Sequence, residues 1–85
     1  MEPAPNKSVF SPAYALLLRQ LREARLRTGM TQAQAAQRLG RPQSFISKCE
    51  SGERRIDIVE LLQLCGVYGC DPREIIEQLE RELSG

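Results

Sequence analysis

The sequence predicts an all-α domain built as a compact bundle of five short helices, and three observations support this fold class. Apolar residues recur at steps of three and four positions, which is the period of a helix with one buried face. No segment shows the strict alternation of apolar and polar residues that a half-buried β-strand requires. The chain has 85 residues, of which 41% are hydrophobic and 27% charged, a composition that suits one small globular domain.

The first helix follows an N-terminal segment that has no helical pattern. Residues 1–10 contain two prolines and no apolar period, so we interpret them as a flexible arm ahead of a single domain at residues 11–85. Ser11 is a favourable N-cap, and Pro12 suits the first helical turn because its missing N–H costs nothing there. The apolar stripe that follows predicts a helix from Pro12 to near Gly29.

Two shorter helices follow, and each is predicted to end at a glycine. Thr31 and Gln34 have the spacing of a capping box, which predicts the start of a second helix that stops at Gly40. A third helix is predicted over about residues 43–50, and Gly52 terminates it.

The remaining chain predicts two more helices with similar start signals. Asp57 and Glu60 repeat the capping-box spacing ahead of a leucine-rich fourth helix, which weakens toward Gly69. Asp71 followed by proline starts a fifth helix over residues 72–83.

Charge is divided unevenly along the chain, although the net charge is only +1. Residues 1–56 carry ten Lys or Arg and four Asp or Glu, which gives +6, and residues 57–85 carry two against seven, which gives −5. Because the distribution of charge creates the field around a protein, the basic part suits a polyanion such as nucleic acid. A merely solvated, uneven surface is the alternative.

The histidine and cysteine content argues against an enzyme or a metal protein. Histidine is absent, which removes the commonest general base and the commonest transition-metal ligand. Cys49, Cys65 and Cys70 match neither a disulfide framework nor CxxC metal spacing, so we expect no metal, no cofactor and a reducing, cytoplasmic location. Cys49 and Cys65 are predicted to be core thiols. The longest apolar run has six residues and is too short to span a membrane.

The segment from Gln32 to Glu50 has the spacing of a helix-turn-helix. Ala36 is small enough to let a second helix cross closely, and Gly40 permits a tight turn between the helices. Ile46 and Cys49, three residues apart, would pack the second helix of the motif, which is the third helix of the chain, against the core. In this motif the first helix crosses the DNA backbone and the second enters the major groove.

A wider segment, about Leu17 to Leu79, resembles the Cro and phage-repressor type of helix-turn-helix protein, often called the XRE family. The resemblance implies a lambda-repressor-like fold and double-stranded DNA as the partner. Two positions depart from the family pattern: Pro42 stands where a Ser or Thr cap is commoner, and Cys49 where Ile or Leu is commoner. The residues that carry the resemblance are Leu21, Arg25, Gly29, Thr31, Gln32, Ala36, Leu39, Gly40, Ser44, Ile46, Ser47, Glu50 and Gly52.

The resemblance also implies roles for the polar residues in and around the motif. The third helix, as the recognition helix, would contact base edges, where Gln suits adenine, Lys suits guanine and Ser suits either. The start of the second helix and the loop after the third would contact phosphates. A solvated side chain is the alternative for each residue, and plain capping for the threonine. The predicted base contacts are Gln43, Ser44, Ser47 and Lys48, and the predicted phosphate contacts are Thr31, Gln32, Ser51, Arg54 and Arg55.

Two further sets of residues are predicted to hold the structure together. Arg25 and Glu50 match a partly buried ion pair that in the family joins the first helix to the third. The last helix has more apolar residues than a small core needs, and its acidic face would be repelled by DNA, which leaves it free to pair two chains. Alternatively, these side chains only complete the monomer core. The predicted dimer contacts are Ile75, Ile76, Leu79 and Leu83.

The sequence therefore predicts a sequence-specific transcriptional regulator, a repressor or a controller, that binds a palindromic operator as an autoregulatory homodimer. In length it resembles the controller proteins of restriction-modification systems. Two alternatives stay open. One is an antitoxin that represses its own operon, and the other is a protein-interaction adaptor that binds no DNA, against which the basic first half of the chain argues.

Overall fold

A computed structural model describes residues 11–85, and within that range it contains five α-helices and no strand. The all-α prediction is therefore confirmed, and the third and fifth helices each run one residue past their predicted ends. The predicted flexible arm, residues 1–10, lies outside the described residues. The helices are α1 (Pro12–Thr28), α2 (Gln32–Leu39), α3 (Gln43–Ser51), α4 (Ile58–Tyr68) and α5 (Pro72–Ser84).

Short-range hydrogen bonds fix where α2 and α4 begin. The Thr31 hydroxyl accepts from the Gln34 backbone N–H at 3.1 Å, and the Gln34 side chain accepts from the Thr31 N–H at 2.9 Å. Asp57 and Glu60 form the same reciprocal pair at 2.7 and 3.0 Å. Helix α3 differs, because its N-cap is Pro42 and no side chain caps it. The departure from the family pattern at Pro42 thus leaves the start of α3 in place but uncapped.

The turn between α2 and α3 depends on Gly40. Its φ of +72° lies in the left-handed region, which a residue without a Cβ adopts at little cost. The chain reverses tightly there, and the Arg41 backbone N–H donates to the Ala36 carbonyl at 2.9 Å. Gly40 therefore sets the angle at which α3 crosses α2.

The core forms where α1 packs on α3, α4 and α5 and where α2 packs on α3 and α4. Cys49 and Cys65 belong to this core, as predicted, and they are 2% and 1% exposed. Burial raises the pKa of both thiols, that of Cys65 to about 12, so both stay protonated near neutral pH. The largest contributions to the core come from Tyr14, Leu17, Leu18, Leu21, Phe45, Ile46, Leu61, Leu64, Tyr68 and Ile75.

An ion pair between Arg25 and Glu50 joins α1 to α3. The Arg25 Nε donates to one carboxylate oxygen at 2.6 Å and Nη2 donates to the other at 3.0 Å. The remaining terminal nitrogen, Nη1, donates to the Met30 carbonyl at 2.9 Å, and the Gln32 amide donates to Glu50 at 2.9 Å. The two charged side chains are only 8% and 11% exposed. Glu50 is therefore a junction of α1, α2 and α3.

Replacing Glu50 with alanine is expected to destabilise the fold strongly. The substitution leaves the Arg25 guanidinium buried without its counter-ion, and breaking a buried pair in this way costs about 3–5 kcal/mol. Urea unfolding followed by circular dichroism measures the loss. Glu23→Ala, which removes an exposed carboxylate of α1, is the matched control. An unchanged midpoint for Glu50→Ala would show that the pair contributes nothing.

Candidate nucleic-acid interface

The outward face of α3 presents the four predicted base contacts together. Gln43, Ser44 and Lys48 are exposed, and Ser47 is half-buried, with its hydroxyl donating to the Ser44 carbonyl at 3.2 Å. At the helical period these positions lie on one side of the helix. The opposite side of α3 lies in the core, through Phe45, Ile46 and Cys49. Helix α3 therefore exposes polar side chains to a partner, while its opposite face is packed in the core.

The start of α2 places Thr31 and Gln32 in different surroundings. Thr31 is exposed, and its hydroxyl caps the helix. Gln32 is half-buried, and one of its amide hydrogens bonds Glu50. Glu50 therefore competes with the predicted phosphate for the side-chain amide of Gln32. The first N–H groups of α2 have no acceptor within the helix, because a helix leaves its first turn unpaired.

Ser51, the last residue of α3, and Arg55, in the loop that follows, are held in defined positions. The Ser51 hydroxyl donates to the Lys48 carbonyl at 3.2 Å. The Arg55 guanidinium lies 4.2 Å from the centre of the Tyr14 ring, and that tyrosine's hydroxyl accepts from the Ile56 N–H at 2.9 Å. Tyr14 thus ties the loop to α1. Arg55 remains exposed, so its N–H groups face solvent.

Arg54, a predicted phosphate contact, has an intramolecular partner in Glu60. Its two terminal nitrogens donate to the two carboxylate oxygens of Glu60, each at 2.8 Å. One of them also donates to the Arg55 carbonyl at 3.0 Å. This is the two-pronged arrangement in which a guanidinium and a carboxylate bind most strongly. Arg54 therefore holds the loop after α3 against the start of α4.

Glu60 is the site residue whose role the sequence did not reveal. Its spacing from Asp57 predicts a cap, but its carboxylate is also buried, 5% exposed, between Arg54 and the neighbouring Arg41. Hydrogen bonds from Arg54 and from the Asp57 N–H lower the pKa of Glu60 from 4.5 to about 2. No local sequence signal indicated the pairing with the two arginines, because they lie 6 and 19 residues before Glu60.

The predicted dimer contacts on α5 divide into two groups. Ile75 is 5% exposed and belongs to the monomer core, and Leu79 is half-buried against it. Ile75 is therefore removed from the predicted dimer face, because a side chain packed in its own core cannot contact a second chain. Ile76 and Leu83 are 38% and 77% exposed and stay available.

A second exposed apolar group lies on α4, where it was not predicted. Ile58, Val59 and Leu62 are each at least half exposed. Within residues 11–85, no group of three potential metal ligands among His, Cys, Asp and Glu occurs. No helix in that range is long and apolar enough to cross a membrane.

Comparisons with known proteins agree with this geometry. The family model described as "Helix-turn-helix domain" matches residues 13–78, which is most of the chain, so the chain belongs to that family. A solved structure, an XRE-family like protein from Pseudomonas syringae pv. tomato str. DC3000, is 44% identical over 91% of this chain and 94% of its own, with a TM-score of 0.80. The chain is therefore an XRE-type helix-turn-helix protein, a family of DNA-binding transcription regulators. No curated protein matches it.

Acid is expected to remove the stabilisation that Glu60 provides. The pKa of Glu60 is lowered in the folded state, so its contribution is complete above about pH 4.5 and is lost as the pH falls toward about 2. Glu60→Gln lacks this pH-dependent stabilisation. The difference in unfolding free energy between the unmodified protein and Glu60→Gln should therefore shrink as the pH falls from about 4.5 toward about 2. Urea titrations at several pH values measure it, with the exposed Glu53→Gln as control. A difference that does not vary with pH would contradict the assignment.

Proposed function

We propose that this protein is a sequence-specific transcriptional regulator that binds double-stranded DNA through α3. The observation that carries the proposal is the polar outer face of α3, with Gln43, Ser44 and Lys48 exposed on a helix whose other face is locked in the core. Each of these residue types has hydrogen-bonding groups that match base edges in the major groove. A regulator of this kind acts on the chromosome, so the proposal implies a cytoplasmic location in a bacterium.

The phosphate contacts in this proposal come from both sides of α3. Thr31 and the first N–H groups of α2 come before α3 in the chain, and Ser51 and Arg55 lie at its end and just after it. Gln32 contributes through its backbone and its second amide hydrogen, since the first bonds Glu50. These groups fix the register of α3 on the duplex without reading its sequence.

We further propose that the protein acts as a homodimer on a palindromic operator and represses its own gene. Two recognition helices on a twofold site lie about 34 Å apart, and one copy of this domain supplies only one recognition helix. Ile76 and Leu83 of α5 are exposed apolar side chains on a helix whose acidic residues keep it away from phosphate. They are the contacts that this dimer would use.

A protein-binding role is a second candidate, because Ile58, Val59 and Leu62 expose apolar surface on α4. An antitoxin that also represses its operon, or an adaptor that binds only protein, would use such a surface. DNA binding separates the candidates, since an adaptor shows no salt-dependent affinity for a duplex.

The proposal is tested by titrating the protein against DNA from upstream of its own gene and against a scrambled duplex of equal length, at two salt concentrations. We expect tighter binding to the upstream DNA, a strong fall in affinity with salt, and saturation at two chains per site. Equal and weak binding to both duplexes would contradict autoregulation. No binding to either would contradict the DNA-binding function.

Substitutions on α3 and in the following loop should act differently. Gln43→Ala and Lys48→Ala remove base contacts, so each should weaken operator binding by about 1–3 kcal/mol and relax the preference at one base pair. Arg55→Ala removes a phosphate contact and should weaken binding to all sequences equally. Binding of each variant to a set of single-base operator variants measures this. Identical behaviour of the three variants would show that α3 does not read the bases.

A further inference from the structure

A cluster of charged side chains surrounds the ring of Phe45 on the flank of α3. The Arg41 guanidinium lies 4.2 Å from the ring centre, and the Arg54 guanidinium lies 4.9 Å from it. Both arginines also pair with the buried carboxylate of Glu60. Two cations therefore share one aromatic ring and one anion, which leaves the cluster with a charge of +1.

The two arginines are bound very unequally. Arg54 makes two hydrogen bonds of 2.8 Å to Glu60 and a third to a backbone carbonyl. Arg41 makes one contact to Glu60 at 3.4 Å, near the limit for a hydrogen bond. A guanidinium has five N–H donors, so most of those on Arg41 remain for another acceptor. The two arginine side chains are equally exposed, at 39% and 40%, so the difference lies in their hydrogen bonds, and these leave the uncompensated positive charge at Arg41.

Arg41 is also placed where a duplex would pass. It lies in the turn two residues ahead of α3, and Phe45, on which it stacks, follows the exposed Ser44. Lys48 is three residues beyond Phe45 and is therefore its neighbour on the helix surface. When the N-terminal part of a recognition helix enters the major groove, the residues ahead of it lie beside the phosphates that border the groove.

We propose that Arg41 donates to a DNA phosphate at the edge of the groove that α3 enters, and that Arg54 does not contact DNA because Glu60 holds it. This assignment rests on the proposed DNA-binding function. Stacking on Phe45 and the long contact to Glu60 restrict the Arg41 side chain before DNA arrives. Binding therefore loses less side-chain entropy than it would with a freely moving arginine.

The test measures the salt dependence of binding, which counts phosphate contacts without requiring the operator. A fluorescein-labelled duplex of mixed sequence is titrated by anisotropy over a series of salt concentrations. Each lost phosphate contact lowers the slope of log affinity against log salt by about 0.9. We expect that loss for Arg41→Gln, and an unchanged slope for the double variant Arg54→Gln/Glu60→Gln, which removes Arg54 without changing the net charge of the cluster. Arg38→Gln, which removes an exposed arginine of α2 outside the cluster, is the matched control and should leave the slope nearly unchanged.

Three further results would support or overturn the assignment. Arg41→Lys keeps the charge but loses the planar stacking group, so it should retain the slope while the affinity falls. An unchanged slope in Arg41→Gln, with salt-dependent binding by the unmodified protein, would overturn this assignment alone. If the unmodified protein does not bind the duplex at any salt concentration, the proposed function fails as well. Thermal unfolding of each variant establishes that it is folded. Should the double variant unfold, the comparison of Arg41→Gln with Arg38→Gln still decides.

Discussion

The rest of the structure depends on the hydrogen bonds that the Glu50 carboxylate accepts. Glu50 is part of α3, and its two carboxylate oxygens bind Arg25 of α1 and Gln32 of α2. Hydrogen bonds at such a buried, charged centre are strong when all partners are present and costly when one is missing. The three helices are therefore held at one mutual orientation. That orientation determines which face of α3 is exposed and which face packs in the core.

The arginines of the basic half of the chain serve two different purposes. Arg25, which is buried, and Arg54, which is partly exposed, are each neutralised by a glutamate through two hydrogen bonds. Arg41 and Arg55 instead stack on aromatic rings and keep exposed donors. A ring supports a guanidinium without cancelling its charge, whereas a carboxylate cancels it. The charge that can act on a partner is therefore smaller than the sequence total, and Arg41 and Arg55 place part of it at the two ends of α3.

The fold could be predicted from the sequence because its determinants are local. The capping pairs at Thr31 and Asp57 and the turn at Gly40 are each set by residues within five positions of one another. The cluster around Glu60 could not be predicted in the same way. Its partners lie 6 and 19 residues upstream, and only the packing of the α2–α3 unit against α4 brings them together. The sequence left open whether Ile75 pairs two chains or completes the monomer core, since an apolar stripe does not show how much of it the neighbouring helices cover.

The separation of charge between the helices gives the molecule a permanent dipole moment. Helix α5 carries exposed Glu77, Glu80 and Glu82 and packs against α1 and α4, while the exposed arginines described above flank α3. In the field of a polyanion such a dipole experiences a torque that turns the basic side forward during diffusion. Productive encounters therefore make up a larger share of all collisions than for a uniformly charged domain of the same net charge. This alignment acts over roughly one Debye length, about 8 Å at physiological salt.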